Sequence, residues 1–173
     1  DMAVTIDQPL VFTVAAHHVR GRLVRLGPVL QDILAAHRYP PVAERLLAES
    51  LVLTALLGST QKDPGSQLTI QAQTGGGPID LLVCDWKDGA LRGYLKFDAE
   101  RLAEVGPHPS LFALFGGGCL AITFDQAASG ERYQGIVPLE GEGIGAAAEH
   151  YFEQSEQIPS LIRLAAHHDA GLG

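Results

Sequence analysis

The chain has 173 residues, 46% of them apolar, and a formal net charge of −8 at pH 7. A chain of this length is expected to form one domain that buries about two-thirds of its unfolded surface, and the apolar content indicates a packed core. The negative charge disfavours binding to nucleic acid, because neutralising phosphates needs a basic face. The local exception, Arg20, Arg22 and Arg25, is typical of a solvated strand face.

The sequence carries no signal for a membrane or for secretion. No apolar run approaches the roughly 18–20 residues that a membrane helix needs, and the first residues lack the basic region and apolar core of a signal peptide. We therefore expect a cytoplasmic protein with no membrane contact. Its two cysteines, Cys84 and Cys119, cannot form a disulfide framework or a four-cysteine zinc site, and their apolar surroundings are typical of buried small side chains.

The first part of the chain predicts two short strands followed by a helix. Apolar, β-rich runs at 10–16 and 19–26 predict the strands. Pro28 suits the first position of a helix over 28–37. We expect the apolar stripe of this helix to be buried, namely Val29, Leu30, Ile33, Leu34 and His37.

A second helix, over 41–57, is the predicted centre of the core. Pro41 is placed to start it, and Gly58 suits a left-handed cap at its end. Residues 51–57 are apolar on every side, and a helix that is apolar all round is buried all round. We therefore expect this helix to be the central core helix.

Residues 68–97 predict an antiparallel meander of three strands. Apolar and polar residues alternate over 68–74 and 91–97, as in half-buried strands. In contrast, 79–84 is apolar at successive positions, which fits a strand covered on both faces. Asp88-Gly89 is a hairpin signal between the last two strands.

The segments that flank this meander predict turns and loops. We expect one or two helical turns over 99–105 and an irregular apolar loop over 107–115. The glycine triplets 75–77 and 116–118 lack the lysine–serine/threonine ending of a phosphate-binding loop. We therefore interpret the glycines of both triplets as turn or strand-entry residues.

A hairpin that leads into an amphipathic helix is the clearest pattern in the sequence. Strands at 119–124 and 133–138 flank a turn, where Glu131 and Arg132 are candidates for a local ion pair. The helix, 144–157, repeats apolar residues on one face, namely Ile144, Ala147, Ala148, Tyr151 and Phe152.

Together these elements predict an α+β fold. A mixed, mostly antiparallel sheet is expected to pack against two or three helices, at 28–37, 41–57 and 144–157. The residues 158–164 are typical of a strand that ends before its sheet is complete. We therefore expect the chain to be part of a longer protein.

Seven histidines suggest a metal site, but their positions do not favour one. His17-His18 and His167-His168 are adjacent pairs, and neighbours on a strand point apart. No histidine–glutamate zinc signature is present. Surface or turn histidines are therefore the preferred interpretation.

Candidate nucleophiles lack the context that catalysis needs. Four serines stand outside the strand–elbow–helix pattern, namely Ser59, Ser66, Ser110 and Ser129. Cys84 and Asp85, beside Trp86, form the most enzyme-like cluster, but nothing nearby in the sequence would lower the pKa of the thiol. We prefer a core cysteine, and keep a small-molecule enzyme that uses Cys84 and Asp85 as an alternative.

Several blocks of sequence carry a resemblance to a known family. The most distinctive are Ser129-Gly130-Glu131-Arg132-Tyr133-Gln134-Gly135-Ile136-Val137, Leu139-Glu140-Gly141, Tyr151-Phe152 and Ser155-Glu156-Gln157-Ile158-Pro159. Other blocks agree in order, namely Val19-Arg20-Gly21, Tyr39-Pro40, 46–57, 77–81 and Leu91-Arg92-Gly93. On these blocks the chain resembles the 33-kilodalton heat-shock chaperone family, the redox-regulated bacterial holdases, from about residue 10 to residue 160.

The resemblance implies a chaperone that works without ATP and is not an enzyme. Such a protein binds unfolding client proteins during oxidative and heat stress. In this family the N-terminal domain carries client-binding surface and helps to form a homodimer, often by exchanging segments. A separate C-terminal module holds zinc through four cysteines, and oxidation replaces the zinc with two disulfides, which unfolds the neighbouring linker.

The chain departs from the family pattern at this switch. The four zinc cysteines are absent, and Cys84 and Cys119 match neither their positions nor their spacing. The resemblance therefore implies that residues 1–173 are one client-binding and dimerisation domain. It holds no cofactor of its own, and the zinc-binding redox-switch domain is absent from it.

Client binding by such a domain is expected to be diffuse, through exposed apolar patches rather than a pocket. The candidate residues are Phe12, Leu111, Phe112 and Phe115. Burial of each of them in the core is an equally open interpretation. A purely structural dimerisation module is a further alternative to the chaperone.

Overall fold

The structure, a computed structural model, describes residues 10–14, 19–156 and 162–166, with side chains outside 10–14, 19–23 and 155–156. The strands are β1 Leu10–Val14, β2 Val19–Leu23, β3 Gln67–Thr74, β4 Ile79–Lys87, β5 Ala90–Phe97, β6 Gly118–Asp125 and β7 Arg132–Pro138. The α-helices are α1 Pro28–Ala35, α2 Pro41–Gly58, α3 Ala99–Ala103, α4 Leu111–Phe115 and α5 Ile144–Tyr151, and a π-helical turn, Phe152–Glu156, follows α5.

Five of the strands form one antiparallel sheet in the order β5-β4-β3-β6-β7, and β1 pairs with β2 in a separate hairpin. The predicted α+β class and the meander over 68–97 are confirmed, because β4 pairs with both β3 and β5. The expected mixed sheet is purely antiparallel among the described strands. The β6–β7 hairpin lies against the other edge of β3.

The helix α2 lies across one face of this sheet and forms the centre of the core. Most of its residues are buried, and it packs against β3, β4 and β5. Two polar side chains share this interior, and both are satisfied within the helix. The Ser50 hydroxyl donates to the Leu46 carbonyl at 2.7 Å, and the Thr54 hydroxyl donates to the Ser50 carbonyl at 2.6 Å. The prediction of a central helix is therefore confirmed.

The helix α5 covers the same face of the sheet beside β7. Its predicted apolar face is confirmed, since Ile144, Ala147, Ala148 and Tyr151 are buried and Phe152 is half-buried. The helix is shorter than predicted, because its α-helical bonding ends at Tyr151 and continues as the π-helical turn. Of the predicted strand at 158–164, residues 162–164 have no regular structure, and the rest lie outside the described residues.

Helices cover only one face of the sheet in the described part of the chain. Leu68, Ile70 and Ala72 of β3 are buried on the helix side, whereas Gln71 and Gln73 are exposed on the other side. We call that other side the open face. The expectation that 79–84 is covered on both faces was wrong, because these apolar residues alternate between buried and half-buried positions.

The helix α1 is less buried than its sequence predicts. It ends at Ala35 and contains no buried residue. Its main contacts among the described elements are with α2 and β5. Its apolar residues Val29 and Ile33 are half-buried, and His37 lies beyond the helix in an exposed position. The predicted buried stripe is therefore only half-covered by the described residues.

The end of α2 differs from the predicted left-handed cap. Gly58 is the last residue of the helix, and the capping residue Ser59 has ordinary right-handed angles, with φ −62°. Glycine is needed at this position for another reason. A Cβ added to Gly58 would lie 2.4 Å from Cγ of Trp86, so the β4 indole packs directly on the helix backbone.

The apolar segment predicted as an irregular loop contains a short helix, α4. The Ser110 hydroxyl caps its start by accepting a hydrogen bond from the Ala113 amide at 3.1 Å. Gly116, with φ 70°, ends it in the left-handed conformation. A helix of five residues is too short to show a helical period, so the capping residues were the available signal.

The β6–β7 turn is fixed by a different ion pair from the predicted one. Arg132 pairs with Asp125, directly opposite it in the ladder, with Nε 2.7 Å from Oδ1. Glu131 instead accepts a hydrogen bond from the Tyr133 hydroxyl. The predicted Glu131–Arg132 pair was wrong, because neighbouring residues on a strand point to opposite faces.

Gly135 of β7 gives a test of this packing. A Cβ added there would lie 1.8 Å from Cε2 of Tyr151, so Gly135→Ala forces the buried ring to move. We expect a loss of about 1–3 kcal/mol in the free energy of unfolding, measured by chemical denaturation. Gly145→Ala in α5 is the matched control, because its nearest neighbours would lie at 3.7 Å and alanine favours the helix. Equal stability of the two variants would contradict the close packing of Tyr151 on β7.

Candidate functional site

A cavity of about 250 Å³ lies between α2, α4 and the start of α5. Its wall contains apolar residues such as Leu46 and Leu114, and its rim contains Arg45, His108 and Glu49. The Arg45 guanidinium lies 3.5 Å from Nδ1 of His108. Burial raises the pKa of Glu49, and the nearby charge of Arg45 opposes this rise. The lining includes no serine, threonine or cysteine side chain that could act as a nucleophile.

The enzyme alternative depends on Cys84 and Asp85, which the structure separates. Cys84 is fully buried, and burial raises the pKa of its thiol to about 12, against the opposing effect of a hydrogen bond with Thr54. Asp85 lies on the open face, where it accepts a hydrogen bond from the Thr69 hydroxyl at 2.7 Å. Its carboxylate is also 3.6 Å from the guanidinium of Arg92. The two side chains do not form one site, so this alternative is disfavoured.

The serines considered as nucleophiles have structural roles. The Ser59 hydroxyl donates to the Leu56 carbonyl at 2.7 Å, and the Ser110 hydroxyl caps α4. Ser66 is buried, and Ser129 bonds within the β6–β7 turn.

In the described part of the chain, no group of three histidine, cysteine or carboxylate side chains is placed to hold a metal. None of its helices is long and apolar enough to cross a membrane.

The two glycine triplets pack against each other, with bends at 75–77 and 116–117 and the start of β6 at Gly118, as predicted. The amides of Gly75 and Gly77 both donate to the Phe115 carbonyl at 2.9 Å. A Cβ added to Gly75 would lie 2.3 Å from the Gly116 carbonyl oxygen, which explains the lack of side chains here. The Arg101 guanidinium donates to the Gly76 carbonyl at 2.8 Å. This contact between two backbones leaves no concave loop for a phosphate.

The four residues predicted to bind clients differ in exposure. Phe112, on the outer side of α4, is 67% exposed. Leu111 and Phe115 are 1% and 0% exposed and belong to the core. The side chain of Phe12 lies outside the described residues. Of the three candidate side chains in α4, Phe112 is therefore the accessible one.

Three exposed apolar residues were not predicted as surface candidates: Tyr94, Tyr133 and Ile136. Ile136, 61% exposed, and Tyr94, 40% exposed, lie at the two ends of one row across the open face. The ladder registers connect this row, which consists of Tyr94, Val83, Gln71, Ala121 and Ile136. The alternation of β5 and β7 was the signal available in the sequence, but it does not identify the uncovered face.

A second concave region, of about 370 Å³, lies between α1 and the edge strand β5. Its lining includes Val29 and Ile33 of α1 and Leu91 and Gly93 of β5. We call it the α1–β5 groove. Its lining combines half-buried apolar side chains and the backbone of a strand edge with three exposed polar side chains, those of Asp32, His37 and Arg92.

The fold matches that of a solved heat-shock chaperonin over most of the chain. Among solved structures it resembles the crystal structure of the 33 kDa chaperonin (heat shock protein 33 homolog) from Thermotoga maritima, with a TM-score of 0.72 and 26% sequence identity. The match covers 91% of this chain and 58% of that one. The family model described as Hsp33 protein matches residues 7–172. The chain therefore belongs to the Hsp33 family.

Curated relatives carry the same family name. The chain is 43% identical over 169 residues to the 33 kDa chaperonin of Caulobacter vibrioides, covering 95% of this chain and 55% of that protein. It is 42% identical over 164 residues to the 33 kDa chaperonin of Yersinia pestis, covering 95% of this chain and 54% of that protein. The chain thus spans about half the length of the curated relatives it matches. Their names describe a chaperonin and not an enzyme.

The environments of the two cysteines predict a large difference in reactivity. Only the thiolate is nucleophilic, so the buried Cys84, with a pKa of about 12, is expected not to react with iodoacetamide at pH 8 in the folded protein. Cys119 is half-buried at the start of β6 and reacts first. Mass spectrometry of tryptic peptides separates the two sites, and Cys119→Ala isolates Cys84. Labelling of Cys84 without denaturant, at a rate similar to that of Cys119, would contradict this burial.

Proposed function

We propose that this chain is the client-binding and dimerisation domain of an ATP-independent holdase, which binds unfolding proteins and prevents their aggregation under heat and oxidative stress. Membership of the Hsp33 family supports this proposal most strongly. The relatives are named chaperonins, and the described surface carries accessible apolar side chains.

The proposed client-binding surface is diffuse and centred on Phe112. Its exposed ring lies on a rigid support, because α4 is capped at Ser110 and held at its end by the contact between the glycine triplets. The buried Leu111 and Phe115 anchor α4 in the core and so position the ring. Phe12 stays a candidate on its sequence alone.

We propose that the redox switch of the whole protein lies outside residues 1–173. A zinc site of the family type needs four cysteines, and this chain has two, of which Cys84 is buried. Both described thiols are free, which suits a reducing compartment and supports a cytoplasmic location. We further propose that the whole protein forms a homodimer, as the resemblance to the family implies.

The holdase proposal predicts protection without a nucleotide. The 173-residue chain is expected to suppress light scattering from a heat-denaturing client enzyme with no ATP added. Because the proposed switch lies elsewhere, protection is expected to be equal in dithiothreitol and in hydrogen peroxide. Serum albumin at the same mass concentration is the control for non-specific crowding.

Three outcomes of this experiment would separate the alternatives. No protection at several-fold molar excess over the client would reject the holdase. A dimer in sedimentation analysis without protection would favour the purely structural module. Protection that requires oxidant would place part of the switch within these residues.

The substitution Phe112→Asp tests the proposed surface. Phe112 is 67% exposed, so the folded state is expected to keep its melting temperature within a few degrees. Loss of the apolar ring and introduction of charge are expected to raise the chaperone-to-client ratio needed for half-protection by about two- to fivefold. The light-scattering assay measures this ratio.

Ala128→Asp is the matched control for this variant. Ala128 is exposed in the β6–β7 turn, and the substitution adds the same charge without removing an exposed aromatic ring. We expect it to protect clients as well as the original chain does. An equal loss of protection in both variants would attribute the effect to net charge and would remove Phe112 from the proposed surface.

A further inference from the structure

Some backbone amides of the edge strand β5 point away from the sheet. It is the outermost strand, and its only ladder among the described residues is with β4. The Leu95 amide donates to the Tyr39 hydroxyl at 3.2 Å and therefore points outward. Because amide direction alternates along a strand, the amides of Leu91 and Gly93 also point outward. No described residue accepts a hydrogen bond from either of them.

The α1–β5 groove lies directly beside these two amides. Val29, Ile33 and Leu91 line it with apolar side chains, and none of them is fully buried. Val29 does not pack against the core cluster, although the apolar stripe of α1 predicts that this residue is buried. Free strand amides and an uncovered apolar strip thus occur side by side.

We propose that the α1–β5 groove binds one extended apolar segment of an unfolded client, which adds to β5 as a sixth strand. This inference rests on the proposed holdase function and specifies how a client is held. The backbone of the segment bonds to Leu91 and Gly93, and its alternate side chains enter the groove against Val29 and Ile33. Tyr39 limits the added strand at Leu95.

This mode of binding suits a protein with many clients. Backbone amides and carbonyls are the same in every polypeptide, so strand addition recognises an extended conformation rather than a sequence. The exposed edge offers only two outward residues, Leu91 and Gly93, before Tyr39 covers the next. A contact this short is weak and reversible, as release of a client requires.

A second copy of the chain fits the same edge less well. The free stretch is centred on Arg92, so antiparallel pairing of two β5 strands would place Arg92 opposite the same residue of the copy. Like charges directly opposite each other destabilise a strand pair. Arg92 is 78% exposed at its side chain and has only the 3.6 Å contact with Asp85 to offset this charge. An apolar client segment meets no such repulsion.

Two labelled peptides test the proposal with the 173-residue chain. One is an eight-residue peptide of alternating valine and threonine with a lysine at each end, and the other is the same peptide N-methylated at every valine. When the valine side chains of the peptide occupy the groove, the valine amides are the ones that donate hydrogen bonds to the β5 backbone. Loss of about two hydrogen bonds is therefore expected to weaken binding, measured by fluorescence anisotropy, by about tenfold. Backbone amide resonances of Leu91 and Gly93 are expected to shift with the first peptide only.

The groove itself is tested by Val29→Glu, with Gln31→Glu as the control. Both substitutions add one carboxylate to the first turns of α1, where their effects on the helix dipole are similar. Val29 lines the groove, whereas Gln31 is exposed and does not. We expect Val29→Glu to weaken binding of the unmodified peptide by about fivefold or more and Gln31→Glu to leave it unchanged, with equal melting temperatures.

The outcomes separate this inference from the proposed function. Equal binding of the two peptides, or equal binding by the two variants, overturns the strand-addition mode. Peptide binding that competes with self-association in sedimentation identifies a second copy as the occupant and also overturns it. If the chain protects a heated client but binds neither peptide, this inference fails while the holdase stands. If it also gives no protection, the proposed function fails as well.

Discussion

The packing of α2 against a single face of the antiparallel sheet determines the rest of the described structure. Leu47, Leu51 and Leu53 are fully buried within this layer, so the interior is complete without a second layer. The helices α1 and α5 both pack against α2, and they contact the edge strands β5 and β7 respectively. In consequence one face and the β5 edge are left to solvent among the described residues. An antiparallel sheet tolerates this arrangement, because it needs only one buried face.

The open face stays compatible with water because its apolar row is interrupted and bordered by polar contacts. Gln71 lies in the middle of the row, and the parallel row beside it joins Arg92, Asp85 and Thr69 through an ion pair and a hydrogen bond. Gln71 thus separates the apolar side chains of Tyr94 and Val83 from those of Ala121 and Ile136. A chaperone domain needs apolar surface for clients, yet a continuous patch would also cause self-aggregation. Dividing the apolar surface into separate small areas satisfies both requirements.

The sequence predicted the structure best where the residue pattern of a single segment determines how that segment is buried. Residues 51–57 are apolar all round, and the alternation of 68–74 is strict, so a buried helix and a half-buried strand follow from the pattern alone. Prediction from sequence failed where contacts with residues distant in the chain determine the local structure. Gly58 is small because Trp86 packs on it, and the stripe of α1 is half-covered because, among the described elements, mainly α2 and the edge strand β5 contact it. The exposure of the candidate residues follows the same rule, since Phe112 and Phe115 look alike in sequence and differ in the direction that α4 gives them.

The difference between core residues and surface residues explains why the family was easier to recognise from the sequence than the proposed binding surface. The distinctive blocks at Gly135 and Tyr151-Phe152 are structural, because the Tyr151 ring packs on Gly135 and stacks near Phe124, with ring centroids 6.5 Å apart. A sequence block that depends on such close contacts tolerates few substitutions. A surface that binds extended or unfolded chains depends on apolar area and backbone groups, which many sequences supply. Recognition of the fold therefore comes from the core, whereas the client-binding surface proposed here is argued from exposure and strand geometry.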